Sequence, residues 1–193
     1  MTNYPHTKYA VHLQDAHFIV FNGPPSSGKS TAARLLCQAL GKEAVMDSFA
    51  APMKHFIATA LGMTYADMAK DAPRAELSGY SVREFLIDLS EHYIKERYGA
   101  GVFGRWLYHR IGRLNPSPKF VICDDGGFID EIEALPMRRT TLVHVYRQGC
   151  SFQNDSRNYV HSELRRTVVL HNTGTTEQLH KWINAFAMGA YDE

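Results

Sequence analysis

The sequence has few cysteines, almost no net charge and no long hydrophobic run. Its three cysteines, Cys37, Cys123 and Cys150, have no metal-ligand spacing and indicate reduced thiols in a cytosolic protein. The net charge of +1 gives no overall attraction to nucleic acid, although local basic patches stay open. No apolar run reaches the length of a membrane span, and the N-terminus lacks a signal-peptide hydrophobic region. These absences predict a cytoplasmic protein without a membrane partner.

One loop carries a complete chemical signature. Residues Gly23 to Ser30 match G-x-x-x-x-G-K-S/T, between an apolar run at 17–22 and a helical pattern that starts at Lys29. Gly23 and Gly28 let the backbone turn so that consecutive N–H groups point at an anion, and the helix adds its positive dipole end. Lys29 supplies a charge for the β- and γ-phosphates, and the Ser30 hydroxyl suits Mg²⁺. The loop therefore predicts a site for ATP and Mg²⁺.

Other residues near this loop complete the predicted nucleotide site. They are Pro24, Ser26, Ser27 and Thr31 within the loop region, and Asn172 after the last predicted strand. Asn172 follows a strand whose end lies near the expected adenine position, which makes it a candidate base contact.

Apolar runs alternate with helical patterns along the chain. The predicted strands are 17–22, 44–47, 119–125, 141–147 and 167–171, and the predicted helices are 29–40, 48–62, 81–98, 105–114, 128–135 and 175–187. Tyr9 to Leu13 is a candidate edge strand. The connections are long enough for right-handed crossovers, so we expect an α/β fold with a doubly wound, five-stranded parallel sheet.

These elements predict one domain over residues 1–193. Its core is expected at 17–52 and 117–190, with a helical acceptor insert at about 53–116 and a lid at about 148–166. The insert contains a helix that begins at Ser81, where Ser81-Val82-Arg83-Glu84 fits a capping box. Its expected inward side chains are Phe85, Leu86, Leu89, Tyr93 and Ile94, and Gly99 to Gly104 is expected to break it.

Acidic residues end two of the predicted strands. Asp47 ends the second strand, and Asp124 with Asp125 ends the third. In open α/β sheets this end faces the ligand, so Asp47 is a candidate on the acceptor side. A carboxylate after a buried parallel strand is the usual partner of a phosphate loop, where it holds Mg²⁺ or orients an acceptor hydroxyl. Asp47 as a loop or cap residue, and Asp125 as a helix cap, stay open as alternatives.

Arginines mark two further places. Arg83 lies in the first turn of its helix, where a cation opposes the helix dipole, so a nearby anion and a solvated surface position are both open. The segment 148–166 contains Arg157, Arg165 and Arg166, and a segment of this kind suits a lid that brings arginine to the γ-phosphate and excludes water. A solvated loop is the alternative for this segment.

Three classes of phosphate-loop protein compete. Asp124-Asp125-Gly126-Gly127 contains the D-x-x-G pattern of GTPases, but N-K-x-D appears nowhere. A nucleotide-binding module without transfer is disfavoured by the complete Lys29 and Ser30 pair and by the strand-end acids. A small kinase, in which ATP donates its γ-phosphate to an acceptor held by the insert, agrees with the size and the lid-like segment.

The chain also resembles a known family. The matching segments, in order, are Phe49 to Lys54, Val82 to Leu86, Asp125 to Glu131, Val143 to Arg147 and Asn172 to Thr175. They are similar to phage-type deoxynucleoside monophosphate kinases, which belong to the thymidylate-kinase-like part of the P-loop nucleoside and nucleotide kinase group. The resemblance covers nearly the whole chain after residue 16. It implies a P-loop kinase fold, ATP and Mg²⁺ as cofactors, and a deoxynucleotide acceptor, with a homodimer left open.

The resemblance also implies roles for single residues. Lys29 and Ser30 would hold ATP and Mg²⁺, and Asp125 would lie beside the reacting centre. On the acceptor side the resemblance implies that Arg83 would meet the acceptor phosphate. Lys54 and Asp47 are further acceptor-binding candidates of this sequence, outside the residues that the resemblance implies. Arg147 would lie at the base of the lid near the donor. Apart from the resemblance, Arg157 is a catalytic candidate from the lid segment, and the choice among the lid arginines stays open.

Three departures from the family pattern all fall on the acceptor side. Gly127 stands where the family has arginine, Ile87 and Ser90 replace glutamine and glycine, and no acid precedes Trp106. Related phage kinases phosphorylate the hydroxymethyl group of a modified pyrimidine, such as 5-hydroxymethyluridine, within DNA. Basic and aromatic residues interleave at 95–113, which suits a nucleic-acid partner, although an amphipathic helix with an aromatic core face has the same pattern. A modified-DNA acceptor is therefore the alternative to a free nucleotide.

Overall fold

The computed structural model describes residues 16–153, 155, 157–163 and 165–189. The candidate edge strand Tyr9 to Leu13 lies outside these residues. None of the described helices has the length and apolarity needed to cross a membrane.

The chain folds around one five-stranded parallel sheet. Its strands are β1 (His17–Asn22), β2 (Ala44–Asp47), β3 (Phe120–Gly126), β4 (Thr140–Tyr146) and β5 (Arg166–His171). Their order is β2-β3-β1-β4-β5, and each neighbouring pair is parallel. The sheet is five-stranded and parallel and has helices on both faces, so the predicted α/β fold class is confirmed. The carboxyl ends of the strands meet at one edge of the sheet, where the loop after central strand β1 begins.

Seven α-helices are assigned in the described part of the chain. They are α1 (Lys29–Leu40), α2 (Ala51–Ala60), α3 (Val82–Asp88), α4 (Glu96–Tyr98), α5 (Val102–Ile111), α6 (Ile129–Glu133) and α7 (Thr176–Gly189). Short 3-10 turns lie at Gly41–Glu43, Tyr65–Asp67, Ala75–Leu77 and Met137–Arg139, and a π-helical segment, Leu89–Lys95, joins α3 to α4. The capping box at Ser81 is present: its hydroxyl accepts the Glu84 N–H at 3.2 Å, and Glu84 accepts the Ser81 N–H at 2.8 Å.

Apolar residues of the sheet supply two hydrophobic cores, one on each face. Phe18 and Val20 of β1 pack into the core with α2, α3 and α5, whereas Ile19 and Phe21 pack with α1 and α7. All four side chains are at most 1% exposed. Burial on both faces explains why β1 is a continuous apolar run rather than an alternating pattern.

The prediction of which side chains face inward on the helix that begins at Ser81 is wrong at one position. Tyr93 is 52% exposed, whereas Leu86 and Ile94 are buried. The π-helical segment Leu89–Lys95 is the physical reason, because each π-turn contains about one residue more than an α-turn and rotates the later side chains around the axis.

The expected helix break at Gly99 to Gly104 is also too long. Helix α5 already starts at Val102, and Gly104 lies inside it. A β-carbon on Gly104 would stand 2.0 Å from the Glu131 carbonyl oxygen. Gly104 therefore serves the close approach of α5 to α6 rather than ending a helix.

Candidate functional site

The loop between β1 and α1 has the backbone of an anion-binding loop. Ser26 and Gly28 have φ angles of 62° and 95°, in the left-handed region, so the chain reverses twice before α1. A β-carbon on Gly23 would lie 2.6 Å from the Val145 carbonyl oxygen, which explains the first glycine. The Ser30 and Thr31 side chains are exposed at the start of α1, whereas Pro24 and Ser27 are buried.

Lys29 lies inside this loop. Its ammonium group donates a hydrogen bond to the Pro24 carbonyl oxygen at 2.6 Å. Burial, together with the nearby Arg157 guanidinium, lowers its pKa to about 8, although the carboxylates of Asp155 and Asp124 act in the opposite direction. A poorly solvated cation of this kind gains strongly from an anionic partner, so the loop is suited to phosphate.

Two side chains from the neighbouring strand ends brace the loop. The Asn172 amide donates to the Ser27 carbonyl oxygen at 2.8 Å, and the Arg147 guanidinium donates to the Ser26 carbonyl oxygen at 3.3 Å. A β-carbon on Gly28 would stand 2.3 Å from the Asn172 amide nitrogen, so Gly28 also makes room for this brace. Asn172 was expected to contact a base; its amide instead holds the phosphate loop, and the base-contact role stays a prediction.

Asp125 and Asp47 are both occupied by partners from the protein. The carboxylate of Asp125 accepts the backbone N–H groups of Phe49 and Ala50 at 3.0 and 3.1 Å, and Lys54 stands 3.6 Å away. Asp125 thus caps the chain entering α2, not the helix after 128 that the sequence offered as the alternative.

Asp47 at the end of β2 forms a bidentate pair with Arg110 of α5. The two N–O distances are 3.2 and 2.9 Å, and Arg110 also donates to the Ser48 carbonyl oxygen at 2.8 Å. Asp47 therefore ties the insert to the sheet. Its predicted contact with the acceptor is not tested by this arrangement.

Asp124 and Ser30 are the residues that fit a magnesium ion. Within the described residues no three His, Cys, Asp or Glu side chains cluster as a closed metal cage. Mg²⁺ at phosphate sites needs none, because water and substrate phosphates supply most of its ligands. Asp124 is half-buried and acts on the Lys29 charge, and the Ser30 hydroxyl is exposed beside Lys29. Asp125 was expected as a further metal ligand, but its oxygens already accept the two N–H groups.

Of the arginines in the segment 148–166, Arg157 lies at the phosphate loop. Its Nε and Nη2 donate to the Asp155 carboxylate at 2.8 and 2.6 Å. Its charge acts on Lys29, and the carboxylates of Asp155, Asp125 and Glu131 raise its pKa. Arg157 thus stands between the phosphate loop and the end of β3, and its catalytic role stays a prediction.

Arg165 has a different environment from Arg157. It is 9% exposed, and its Nη2 donates to the carbonyl oxygens of Ile132 and Leu135 at 2.9 and 3.0 Å. Arg165 therefore closes the end of α6 and is not available to a nucleotide. Arg166 starts β5 and is exposed.

Three cations lie on the part of the chain that was predicted to bind the acceptor, and two of them share the Tyr65 ring. Arg83 is exposed and pairs with Asp71, and its backbone N–H donates to the Lys70 carbonyl oxygen at 2.9 Å. The Lys70 and Lys54 ammonium groups lie 4.4 and 5.7 Å from the centroid of the Tyr65 ring. This combination of cations and an aromatic face suits an anionic ligand with a ring.

Two cavities flank these residues. One of about 510 Å³ lies beside the phosphate loop and is lined by Tyr146, Arg147, Tyr159 and His171 among others. The Tyr146 ring stacks on Tyr159 with centroids 4.4 Å apart, so an aromatic wall faces this space. The other cavity, about 660 Å³, runs along α2 between Lys54 and Tyr65. The first suits a donor base and the second an acceptor.

Sequence reasoning missed Asn22, which is fully buried. Its amide donates to the carbonyl oxygens of Gly126 and Asn158, both at 3.0 Å, and its oxygen accepts the Val160 N–H at 2.8 Å. His144 of β4 is hydrogen-bonded to the Val160 carbonyl oxygen at 2.7 Å. Residues 158–160 are thus fastened across the ends of the central strands. A polar residue ending the apolar run before Gly23 was the available signal.

Comparison with known proteins yields structural likeness only. No protein-family model and no curated protein matches the sequence. Among solved structures, shikimate kinase from Acinetobacter baumannii, in complex with shikimate, is 16% identical with a TM-score of 0.47, covering 91% of this chain and 94% of that one. Thymidylate kinase from Ehrlichia chaffeensis is 16% identical with a TM-score of 0.48, covering 91% and 98%. Likeness at this level assigns no activity, so a functional assignment has to rest on the geometry of the site.

Proposed function

We propose that this chain is an ATP-dependent phosphotransferase whose acceptor is a free deoxynucleoside monophosphate, as in the phage-type kinases it resembles. One observation carries the proposal: the charges of Arg157 and Asp124 both act on Lys29, which lies in the phosphate loop at the carboxyl end of the sheet. A module that only binds nucleotide needs the loop, but not an arginine and a strand-end acid at the position of the γ-phosphate.

The chemistry divides among these residues as follows. The acceptor oxygen forms a bond to the γ-phosphorus while the bond from that phosphorus to the bridging β–γ oxygen breaks, and ADP leaves with the electron pair. A phosphate acceptor attacks as an oxyanion and has no proton to lose. Lys29 and Arg157 stabilise the negative charge on the moving phosphoryl group and on ADP. Mg²⁺, held by Ser30 and Asp124, would neutralise charge on the β- and γ-phosphates.

The acceptor side supports an anionic acceptor. Lys54 and Tyr65 line the cavity along α2, and the Lys70 ammonium group lies 4.4 Å from the centroid of the Tyr65 ring. The Lys54 ammonium group is 3.6 Å from the Asp125 carboxylate at the strand end. A monophosphate bound there would place its ring near Tyr65. Asp125 then acts indirectly, because it holds the start of α2 and the Lys54 charge beside the reacting groups.

A specific observation favours DNA as a second candidate acceptor. Tyr93 and Tyr98 are 52% and 57% exposed, and the Arg97 guanidinium lies 3.9 Å from the centroid of the Tyr93 ring. Exposed aromatic rings with arginine are the usual platform for an unstacked base. The acceptor in this candidate is the hydroxymethyl group of a modified pyrimidine in DNA, whose hydroxyl proton passes to a base such as solvent as the new bond forms.

The test is transfer of label from γ-labelled ATP in the presence of Mg²⁺. One arm contains the free deoxynucleoside monophosphates, and the other contains duplex DNA with or without 5-hydroxymethyluridine. We expect label on a free monophosphate, and label only on the modified DNA would replace the first candidate by the second. Lys29→Ala should abolish transfer, with the exposed Lys42→Ala as the matched control. Full activity in Lys29→Ala would refute the phosphate-loop assignment.

A further inference from the structure

Gly127 marks a place where two distant parts of the chain touch. It directly follows β3 and is buried. A β-carbon built on it would stand 2.5, 2.6 and 2.9 Å from the Cδ, Cγ and Cβ atoms of Arg157. The φ angle of Gly127 is not in the left-handed region, so its backbone alone does not require glycine. The side chain of Arg157 is therefore what occupies the space that any other residue at position 127 would fill.

Asp155 fixes the far end of the same side chain. One carboxylate oxygen accepts both the backbone N–H and the Nε–H of Arg157, at 2.9 and 2.8 Å, and the other accepts from Nη2 at 2.6 Å. The side chains of Asp155 and Arg157 are only 10% and 23% exposed. A planar guanidinium held along one edge by a carboxylate has a defined direction, and its Nη1 group is not part of this fork.

The guanidinium held in this way lies next to the phosphate loop. Its charge acts directly on Lys29, and the carboxylates of Asp125 and Glu131 act on it in turn. The stem of Arg157 crosses Gly127 just beyond the end of β3, where the strand-end acids lie. The end of β3 has no arginine at position 127, and Arg157, thirty residues later in the chain, lies there instead.

Resting on the proposed function, we propose that Gly127 and Asp155 are the positioning residues for Arg157, which contacts the transferred phosphoryl group. Gly127 leaves the channel through which the stem passes, and Asp155 turns the guanidinium toward the phosphates. Neither residue touches the substrate, and neither gains or loses a bond in the reaction. Together they set how well Arg157 stabilises the charge on the moving phosphoryl group.

The first test is chemical rescue of Arg157→Ala with guanidinium ion. Loss of an arginine that contacts a moving phosphoryl group lowers kcat by about 10² to 10³-fold. Millimolar guanidinium should restore part of kcat, whereas sodium chloride of equal ionic strength should not. Rescue should disappear in Arg157→Ala/Asp155→Asn, which lacks the carboxylate that holds the ion.

The second test is Gly127→Ala in the full-length chain. We expect kcat to fall by about tenfold to a hundredfold, with ATP affinity and melting temperature near those of the wild type. Gly189→Ala is the matched control, because a β-carbon there meets no atom within 4 Å. Gly127→Ala/Arg157→Ala should be no slower than Arg157→Ala alone, since both changes remove the same contact.

The outcomes separate this inference from the proposed function. If the wild-type protein transfers label and Gly127→Ala has the same kcat, the inference is overturned and the function stays in place. The same holds if guanidinium still rescues Arg157→Ala/Asp155→Asn. Wild-type protein that neither binds ATP nor cleaves it overturns both. If Gly127→Ala lowers the melting temperature markedly as well as kcat, Gly127 has a folding role, and this result would also overturn the inference.

Discussion

Lys29 closes its own loop by donating a hydrogen bond to the carbonyl oxygen of Pro24, at 2.6 Å, instead of facing solvent. Its ammonium group is thereby held in the position from which it can exchange a carbonyl partner for a phosphate oxygen. The exchange replaces a neutral acceptor by an anionic one, which makes the stronger hydrogen bond. Because the pKa of this ammonium group is low, the exchange can be measured as proton uptake when ATP binds.

We predict that ATP binding takes up a proton above pH 8. The pKa of Lys29 is lowered to about 8, so above this pH the side chain is increasingly neutral, whereas a bound phosphate requires it charged. The dissociation constant for ATP should therefore rise by up to about tenfold per pH unit above 8. Calorimetry at pH 8.5 in two buffers of different ionisation enthalpy measures the uptake. The same titrations at pH 6.5 are the control, and equal uptake at both would contradict the assignment to Lys29.

We predict that Asn22→Ala lowers the free energy of unfolding by about 3 kcal/mol, because it leaves several buried backbone groups without partners. The groups affected are the Gly126 carbonyl and the Val160 N–H. Urea unfolding measures the change. Asn158→Ala is the matched control, since Asn158 is exposed and contributes only its backbone carbonyl. Losses of similar size in both variants would show that the Asn22 side chain is not what fastens this segment.

We predict that Arg165→Ala and Arg157→Ala have opposite profiles. Arg165 donates to two carbonyl oxygens at the end of α6, so its loss should cost about 2 kcal/mol of stability and leave kcat within about twofold. Arg157→Ala should lower kcat strongly and change stability little. Urea unfolding measures the free energy of unfolding of both variants, and steady-state kinetics measure their kcat. A large loss of kcat in folded Arg165→Ala would place that residue at the reaction instead.

We predict that Glu131→Gln stabilises the protein more at pH 8 than at pH 5. Burial raises the pKa of Glu131 to about 7 from 4.5, although Lys95 lies 3.3 Å away. The stability that this carboxyl contributes is complete below pH 4.5 and is lost as the pH rises through 7, because only the unfolded state ionises freely. The glutamine does not titrate, and Lys95 keeps Glu91 at 2.9 Å. Melting temperatures of both proteins between pH 5 and 8 measure the difference, and parallel curves would contradict it.

Local patterns in the sequence were sufficient for much of the fold. The helix Lys29–Leu40 and the strand Ala44–Asp47 have the predicted bounds, because their apolar spacing and flanking glycines act within a few residues. The capping box at Ser81 is another short-range interaction. The inward position of Tyr93 was predicted wrongly for the opposite reason: the π-helical segment that contains it depends on packing that the 3.6-residue period does not describe.

The partners within the site could not be predicted from local patterns. Asp47 and Arg110 are 63 residues apart, and Asn22 and Val160 are 138 apart. The sequence identifies such residues as polar groups at strand ends or on helices, but the choice between a ligand and a protein partner is made by three-dimensional contact. The phosphate loop is the exception, because the backbone of its eight residues by itself forms the shape of an anion-binding loop.

The fastening of residues 158–160 to the ends of β1 and β4 also has an entropic consequence. Ordering one residue of a loop costs about 1–2 kcal/mol, and a loop that folds over its ligand normally takes this from the binding energy. Here hydrogen bonds from Asn22 and His144 meet that cost during folding. Binding energy at the proposed site therefore need not order this segment and can orient the nucleotide. Arg157 is followed in the chain by residues that are already ordered before any ligand binds.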